Sequence, residues 1–133
     1  MKTPPLEVVC ALIINKNGQL LACRRGPHSS LPGKWEFPGG KIEIDETPEA
    51  ALKREIHEEL DISISIQTVL DTVTHHYPDF TIALSPFLCQ IKDSQSPKCI
   101  EHAELRWINP SEANSLDWAE ADLPIIEQYK KLL

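Results

Sequence analysis

The stretch Gly40-Lys41-Ile42-Glu43-Ile44-Asp45-Glu46-Thr47-Pro48-Glu49-Ala50-Ala51-Leu52-Lys53-Arg54-Glu55-Ile56-His57-Glu58-Glu59-Leu60-Asp61-Ile62 decides how this chain is read. Thr47 is a good N-cap, Pro48 suits the first helical position and Glu49 favours the positive end of a helix dipole, so a helix is predicted over 48–60. Leu52, Ile56 and Leu60 recur at i, i+4 and i+8 as its apolar stripe, with Glu55, Glu58 and Glu59 bordering the opposite side. The glutamates stand at i, i+3 and i+4, which puts like charges on neighbouring positions where they repel. A divalent cation that neutralises them is the simplest functional reason for gathering them.

Upstream, Leu6 to Asn15 reads as a buried strand, Asn17-Gly18 as a turn and Gln19 to Arg25 as the hairpin partner. Gly26 to Gly33 is a loop, Trp35 to Gly40 leads into the helix stretch, and Lys41 to Ile44 alternates as a short strand. Downstream, Ile62 to His76 and Phe80 to Lys92 predict two long strands joined by Tyr77-Pro78-Asp79. Glu104 to Ile108 is a further strand, Asn109-Pro110-Ser111 a break, and Glu112 to Ser115 one helical turn. A last helix is predicted over 122–132, with Ile125, Ile126, Tyr129 and Leu132 buried.

At 133 residues the chain has the size of one domain, residues 1–133, and mixed strands and helices make it α+β or a sandwich. No apolar run approaches the roughly 20 residues needed to span a bilayer, and the N-terminus moves into strand without an apolar signal core, so a cytoplasmic location and no membrane partner are expected. The net charge of −7 disfavours duplex nucleic acid, whose phosphates want Lys and Arg, but leaves room for a small phosphorylated ligand held by local cations. Cys10, Cys23, Cys89 and Cys99 show no C-x-x-C spacing, which argues against zinc; the first three lie in apolar runs and are expected to be reduced and buried. His57 is expected to be exposed, and His75 and His76, as adjacent strand residues, should face opposite ways.

Gly40, five residues, Glu46, seven residues, then Arg54-Glu55-Ile56-His57-Glu58-Glu59-Leu60-Asp61-Ile62 resembles the Nudix box of nucleoside-diphosphate-linked hydrolases. Every defined position matches except one, where Asp61 replaces Gly; that position should end the helix in a left-handed conformation. The resemblance implies a Nudix fold, an α/β/α sandwich with a mixed sheet, and a Mg²⁺-dependent phosphoanhydride hydrolase in which Mn²⁺ can substitute. It assigns the Gly39 carbonyl, Glu55, Glu58 and Glu59 to metal binding, Glu55 also to the role of base, and Glu46 and Arg54 to holding the loop against the helix. These types suit the chemistry: magnesium takes oxygen ligands at about 2.1 Å, and a Gly-Gly turn lets a backbone carbonyl approach. Glu101, six residues before Trp107, is where relatives place a further acidic ligand or base, with Glu104 as competitor.

The stretch from Leu31 to Glu43 and the ending Ala119-Glu120-Ala121-Asp122-Leu123-Pro124 resemble the MutT-like branch, which implies a small-molecule nucleotide substrate. Arg25 is expected to meet a phosphate, Arg24 to face away, and Glu36, Phe37, Pro38 and Asp122 to line the substrate site, with Asp122 against the base or capping the last helix. Tyr77 and Phe80 are candidate aromatic walls. An 8-oxo-dGTP-like triphosphate leads. Asp122, standing where Asn would match that activity most directly, raises CTP or 5-methyl-dCTP. ADP-ribose or a nucleotide sugar, and a nucleotide-sensing module without catalysis, are the further alternatives.

Overall fold

A computed structural model describes residues 4–133; the start of the N-terminal segment, Met1 to Thr3, lies outside the described residues. Strands β1 (Leu6–Ile13), β4 (Gly39–Lys41), β5 (Ile64–Val69), β6 (Val73–His76) and β7 (Thr81–Ile91) form one sheet in the order β4-β1-β7-β5, with β6 also pairing to β7. Strands β1 and β7 run parallel and the other pairs antiparallel, so the sheet is mixed. Strands β2 (Leu20–Arg24), β3 (Trp35–Glu36) and β8 (Glu104–Ile108) form a second, antiparallel sheet in the order β3-β2-β8.

Strand alternation decides where the helices go. Val9, Ala11 and Ile13 of β1, with Leu21 and Cys23 of β2, meet Ala51, Leu52, Ile56 and Leu60 of α1 (Pro48–Leu60). Cys10 and Leu12, with Leu20 and Ala22, meet Trp118 and Ile125, Ile126 and Tyr129 of α2 (Leu123–Lys131). Two cores thus lie on opposite faces of the strands, the expected α/β/α sandwich. Cys10, Cys23 and Cys89 are buried, and burial pushes their thiols up, Cys89 to about 12.

The predicted strand from Ile62 to His76 is instead two strands. Pro86 of β7 supplies the reason: its carbonyl accepts the Leu70 N–H at 2.8 Å, but it has no N–H to return, so the ladder cannot pass through it. Pairing with β5 stops at Phe87, pairing with β6 resumes at Leu84, and the intervening Asp71 is tied to Gln128 of α2 through both backbone groups. The Lys41 to Ile44 strand also shifts, to Gly39–Lys41. Asp45 adopts a left-handed φ of 66°, turning the chain toward α1 and leaving Ile44 93% exposed. Leu132, expected in the core, lies past the end of α2 and is exposed. Among the described residues no helix is long and apolar enough to cross a membrane.

Candidate active site

Helix α1 begins and ends as its residues dictate. Thr47 Oγ1 accepts the Ala50 N–H at 3.1 Å, Pro48 fills the first turn, and Asp61 closes the helix at φ 52°, ψ 45°. Where Gly would hold this left-handed position without a side chain, Asp61 has a carboxylate that accepts Lys98 Nζ at 2.9 Å, and Lys98 draws its pKa down. The Lys98 N–H donates to Leu60 O and the Ile100 N–H to Glu59 O, so the 98–102 loop is stitched to the C-terminus of α1.

Arg54 is the hub at the other side of the glutamates. Its Nε and Nη2 donate to the two Glu46 oxygens at 2.7 and 2.9 Å, its Nη1 to Glu55 at 2.8 Å and, more weakly, to Glu58 at 3.4 Å, and its Nη2 to Lys41 O at 3.1 Å. Those bonds hold the Glu46 carboxyl down to about 2. Glu46 also accepts the Glu43 N–H, so one guanidinium locks loop 41–46 to the helix face.

Glu59 corrects the simple amphipathic picture: it is 4% exposed rather than on the open border of the helix, and its Oε2 has no hydrogen-bond partner among the described residues. Burial, then Glu36, Glu55 and Glu101, lift its carboxyl to about 9, against the pull of the Gly39 backbone N–H. Burial likewise raises Glu55, opposed by Arg54 and reinforced by Glu58 and Glu101. The site gathers more negative charge than its own cations balance, and an orphaned buried carboxylate oxygen is what a cation ligand looks like before the cation is counted. The donor set fits a hard divalent ion.

The two glycines have different reasons to be Gly. A Cβ on Gly39 would overlap the Val9 carbonyl of β1, whereas a Cβ on Gly40 would overlap the Glu55 carboxyl group. Gly40→Ala is therefore expected to displace Glu55 and lower turnover by about 10–100-fold, as does disturbing the support of a metal ligand. Its melting temperature should stay within a few degrees of wild type; an unchanged kcat would place Glu55 outside the reaction.

Glu101 and Glu104 part company. Glu104 is taken by Arg24 at 3.3 Å and Arg106 at 2.9 Å, and its carboxyl is drawn down by Arg106 first. Glu101 is exposed at the loop and close enough to raise both Glu55 and Glu59. Beside it lies His102, which no motif in the sequence marks. His102 Nε2 is 2.9 Å from Glu36 Oε2 and 3.6 Å from Glu59 Oε1, and Glu36, Glu59 and His102 bring ligand atoms within 4.8 Å of one another. Its only sequence signal is adjacency to Glu101, since its partner Glu36 is 66 residues away.

On the other face of β1, a pocket of about 490 Å³ is lined by Cys10, Arg25, Phe37, Tyr77, Phe80 and Asp122 among others, and reaches Glu36, Gly39 and Gly40. Arg25 enters it while Arg24 pairs away with Glu104, the alternation expected of neighbours at a strand end. Arg25 is held by Glu36 at 2.7 Å, Ser30 O at 2.6 Å and Ser30 Oγ at 3.1 Å, which leaves part of its five-donor fork free. Phe37 stacks 4.9 Å from Trp118, and Tyr77 lies 5.1 Å from Phe80, with the Tyr77 hydroxyl accepting the Ala121 N–H. Asp122, 5% exposed, stands at the start of α2 but does not cap it; its Oδ1 accepts the Phe37 N–H at 3.3 Å. Burial, then Glu36, pushes its carboxyl well up. Pro38 does not line the pocket: it is buried, and its carbonyl accepts the Ala11 N–H. His57 is exposed, while His75 and His76 bond to Glu120 and Thr81 and share no partner.

Known proteins are similar to this chain in sequence and fold. A Proteus vulgaris 8-oxo-dGTP diphosphatase is 44% identical over 66% of this chain and 79% of its own length. An Escherichia coli CTP pyrophosphohydrolase is 34% identical over 96% of this chain and 93% of its own. The crystal structure of the MutT protein from Methanosarcina mazei superposes with a TM-score of 0.84 at 24% identity, covering 98% of this chain and 96% of that one, which speaks for the fold. The NUDIX domain family matches residues 9–128. With that match spanning the two sheets, the Arg54-centred loop and the glutamate face of α1, this chain belongs to the NUDIX domain family.

Proposed function

We propose that this chain, as one Nudix domain, is a Mg²⁺-dependent pyrophosphohydrolase of the MutT type that cuts a modified or oxidised nucleoside triphosphate, 8-oxo-dGTP-like, to the monophosphate and pyrophosphate. The observation that carries the reading is Glu59, buried among Glu36, Glu55 and Glu101 with an oxygen that has no partner among the described residues, beside a pocket of nucleotide size that reaches Glu36, Gly39 and Gly40. Glu55, Glu58, Glu59 and the Gly39 carbonyl would hold the ion, and Mn²⁺, with similar oxygen preference, would substitute. Once bound, a divalent cation would supply a water of lowered pKa and charge to offset the phosphate oxygens.

The chain's own groups do the rest. Glu55 or Glu101 takes the proton of the attacking water; the Arg54 bond at 2.8 Å keeps Glu55 oriented, and Glu101 has the freedom of an exposed loop position. Arg54 and Glu46 fix the loop, so that Gly39 and Gly40 stay close to the helix. Arg25 offers its remaining N–H groups to a phosphate at the pocket wall, with Glu36 aiming it. Phe37, Tyr77 and Phe80 provide apolar surface for the base.

Asp122 bears on which base. Burial pushes its carboxyl toward the protonated form, which presents one O–H donor alongside its acceptors, much as an Asn amide presents both kinds, so Asp in place of Asn is compatible with the 8-oxo-dGTP reading. The second reading, CTP or 5-methyl-dCTP, draws its support from the E. coli CTP pyrophosphohydrolase, which is similar over nearly the whole chain. Asp122→Asn is expected to keep kcat/KM within about tenfold, whereas Asp122→Ala, leaving a base hydrogen bond unmade at about 1–3 kcal/mol, should lower it by about 10–100-fold for the preferred base. Equal rates for all three proteins would remove Asp122 from base recognition. A turnover panel of 8-oxo-dGTP, dGTP, CTP, 5-methyl-dCTP and ADP-ribose with Mg²⁺ tests the function itself. The highest kcat/KM should fall on 8-oxo-dGTP; preference for CTP would support the second reading, and preference for ADP-ribose would overturn both.

A further inference from the structure

His102 has no role in the scheme above, yet it occupies the seam of the site. Its side chain is only 5% exposed, and Nε2 lies 2.9 Å from Glu36 Oε2 and 3.6 Å from Glu59 Oε1. The other Glu36 oxygen, Oε1, accepts Arg25 Nη1 at 2.7 Å. Arg25, Glu36, His102 and Glu59 therefore make one unbroken line from the pocket wall to the glutamate face of α1. The backbone on either side of the imidazole is pinned, the Ile100 N–H to Glu59 O and the Ala103 N–H to Arg24 O, so the ring is presented by fixed chain.

We propose that His102 is a positioning residue that couples the phosphate side of the pocket to the metal-binding side, its Nε2–H holding Glu36 and standing between Glu36 and Glu59. The proposal rests on the function above, because it needs a phosphate beside Arg25. The direction of the bond follows from its partner: an Arg-paired carboxylate accepts and does not donate, so Nε2 is the donor. With the proton on Nε2, that nitrogen has no lone pair for a cation, which separates His102 from the carboxylate ligands although it sits among them. The N–H stands between Glu36 and Glu59 and gives the Glu36 carboxylate a fixed donor on the side of α1, which leaves its other oxygen to aim Arg25. Nδ1 is buried without a partner among the described residues, so the side-chain contacts of the ring run through Nε2.

Steady-state kinetics with Mg²⁺ and whichever of 8-oxo-dGTP and CTP turns over faster tests the coupling. His102→Phe, a ring without a donor, is expected to lower kcat/KM by about 10–100-fold, with a rise in KM contributing because Arg25 loses its aim. His102→Gln, which keeps an N–H donor, should recover to within a few-fold of wild type. In a Glu36→Gln background His102→Phe should cost almost nothing more, since the carboxylate it acts through is gone. Should His102→Phe fail to fold, His102→Leu replaces it in the same cycle. Equal losses for Phe and Gln, or losses that simply multiply in the double variant, overturn the coupling. Wild-type turnover with His102→Phe unchanged overturns the coupling alone, whereas a wild type that turns over neither nucleotide overturns the proposed function and the coupling with it.

Discussion

Replacing Glu58 by Gln is expected to lower kcat by about a thousandfold, roughly 4 kcal/mol of lost transition-state stabilisation. Among the described residues the Glu58 side chain meets only Arg54, in a long contact at 3.4 Å, and it is half exposed, so its removal should leave the fold intact. A loss of that size with an unchanged melting temperature is the signature of a group kept for chemistry. A variant that loses no more than a few-fold would mean that the glutamate face is a solvated helix surface and that the crowding of Glu55, Glu58 and Glu59 has another cause.

Glu59→Gln should separate stability from activity even more sharply. Burial holds the Glu59 carboxyl up at about 9 in the folded protein, against about 4.3 for an ordinary glutamate. Between those values the folded state holds a proton that the unfolded state has given up, so the metal-free wild type loses stability as pH rises from about 5 to about 9. Adding Mg²⁺ should restore much of the loss at the upper end, where the carboxylate is free to bind it. Gln carries no charge to expel, so the variant's pH dependence in this window should flatten and its response to Mg²⁺ shrink, while kcat falls by about a thousandfold as for Glu58. Thermal unfolding from pH 5 to 9, with and without Mg²⁺, checks both halves. A wild type whose melting temperature rises steadily with pH across that window would show that Glu59 is not the buried, destabilised carboxylate described.

Much of this was legible from local signals. Thr47, Pro48 and the Leu52, Ile56, Leu60 stripe dictate α1 to the residue, and Asp61 ends it in the left-handed conformation that its place in the box requires. The Gly40, Glu46 and Arg54 spacing marks a loop tied to a helix, and Arg54 does tie it. What escaped depends on pairing between distant segments. The break between β5 and β6 is caused by a proline on a different strand, Pro86, so no residue inside the 62–76 run announces it. Glu59 reads as a surface glutamate by helical position, yet the 98–102 loop and Glu36 bury it, and both arrive from elsewhere in the chain. His102 is hidden for the same reason, and the failure of Asp122 to cap α2 follows from its carboxylate being claimed by the Phe37 N–H on β3's flank.

The most direct measurement is the identity of the products when the purified protein meets 8-oxo-dGTP or CTP, with Mg²⁺ and with EDTA in its place. Nucleoside monophosphate and pyrophosphate are expected in equal amounts, formed only with the metal and lost in Glu58→Gln. Nucleoside diphosphate with inorganic phosphate, turnover undiminished in EDTA, or no turnover of either nucleotide would contradict a metal-dependent pyrophosphohydrolase.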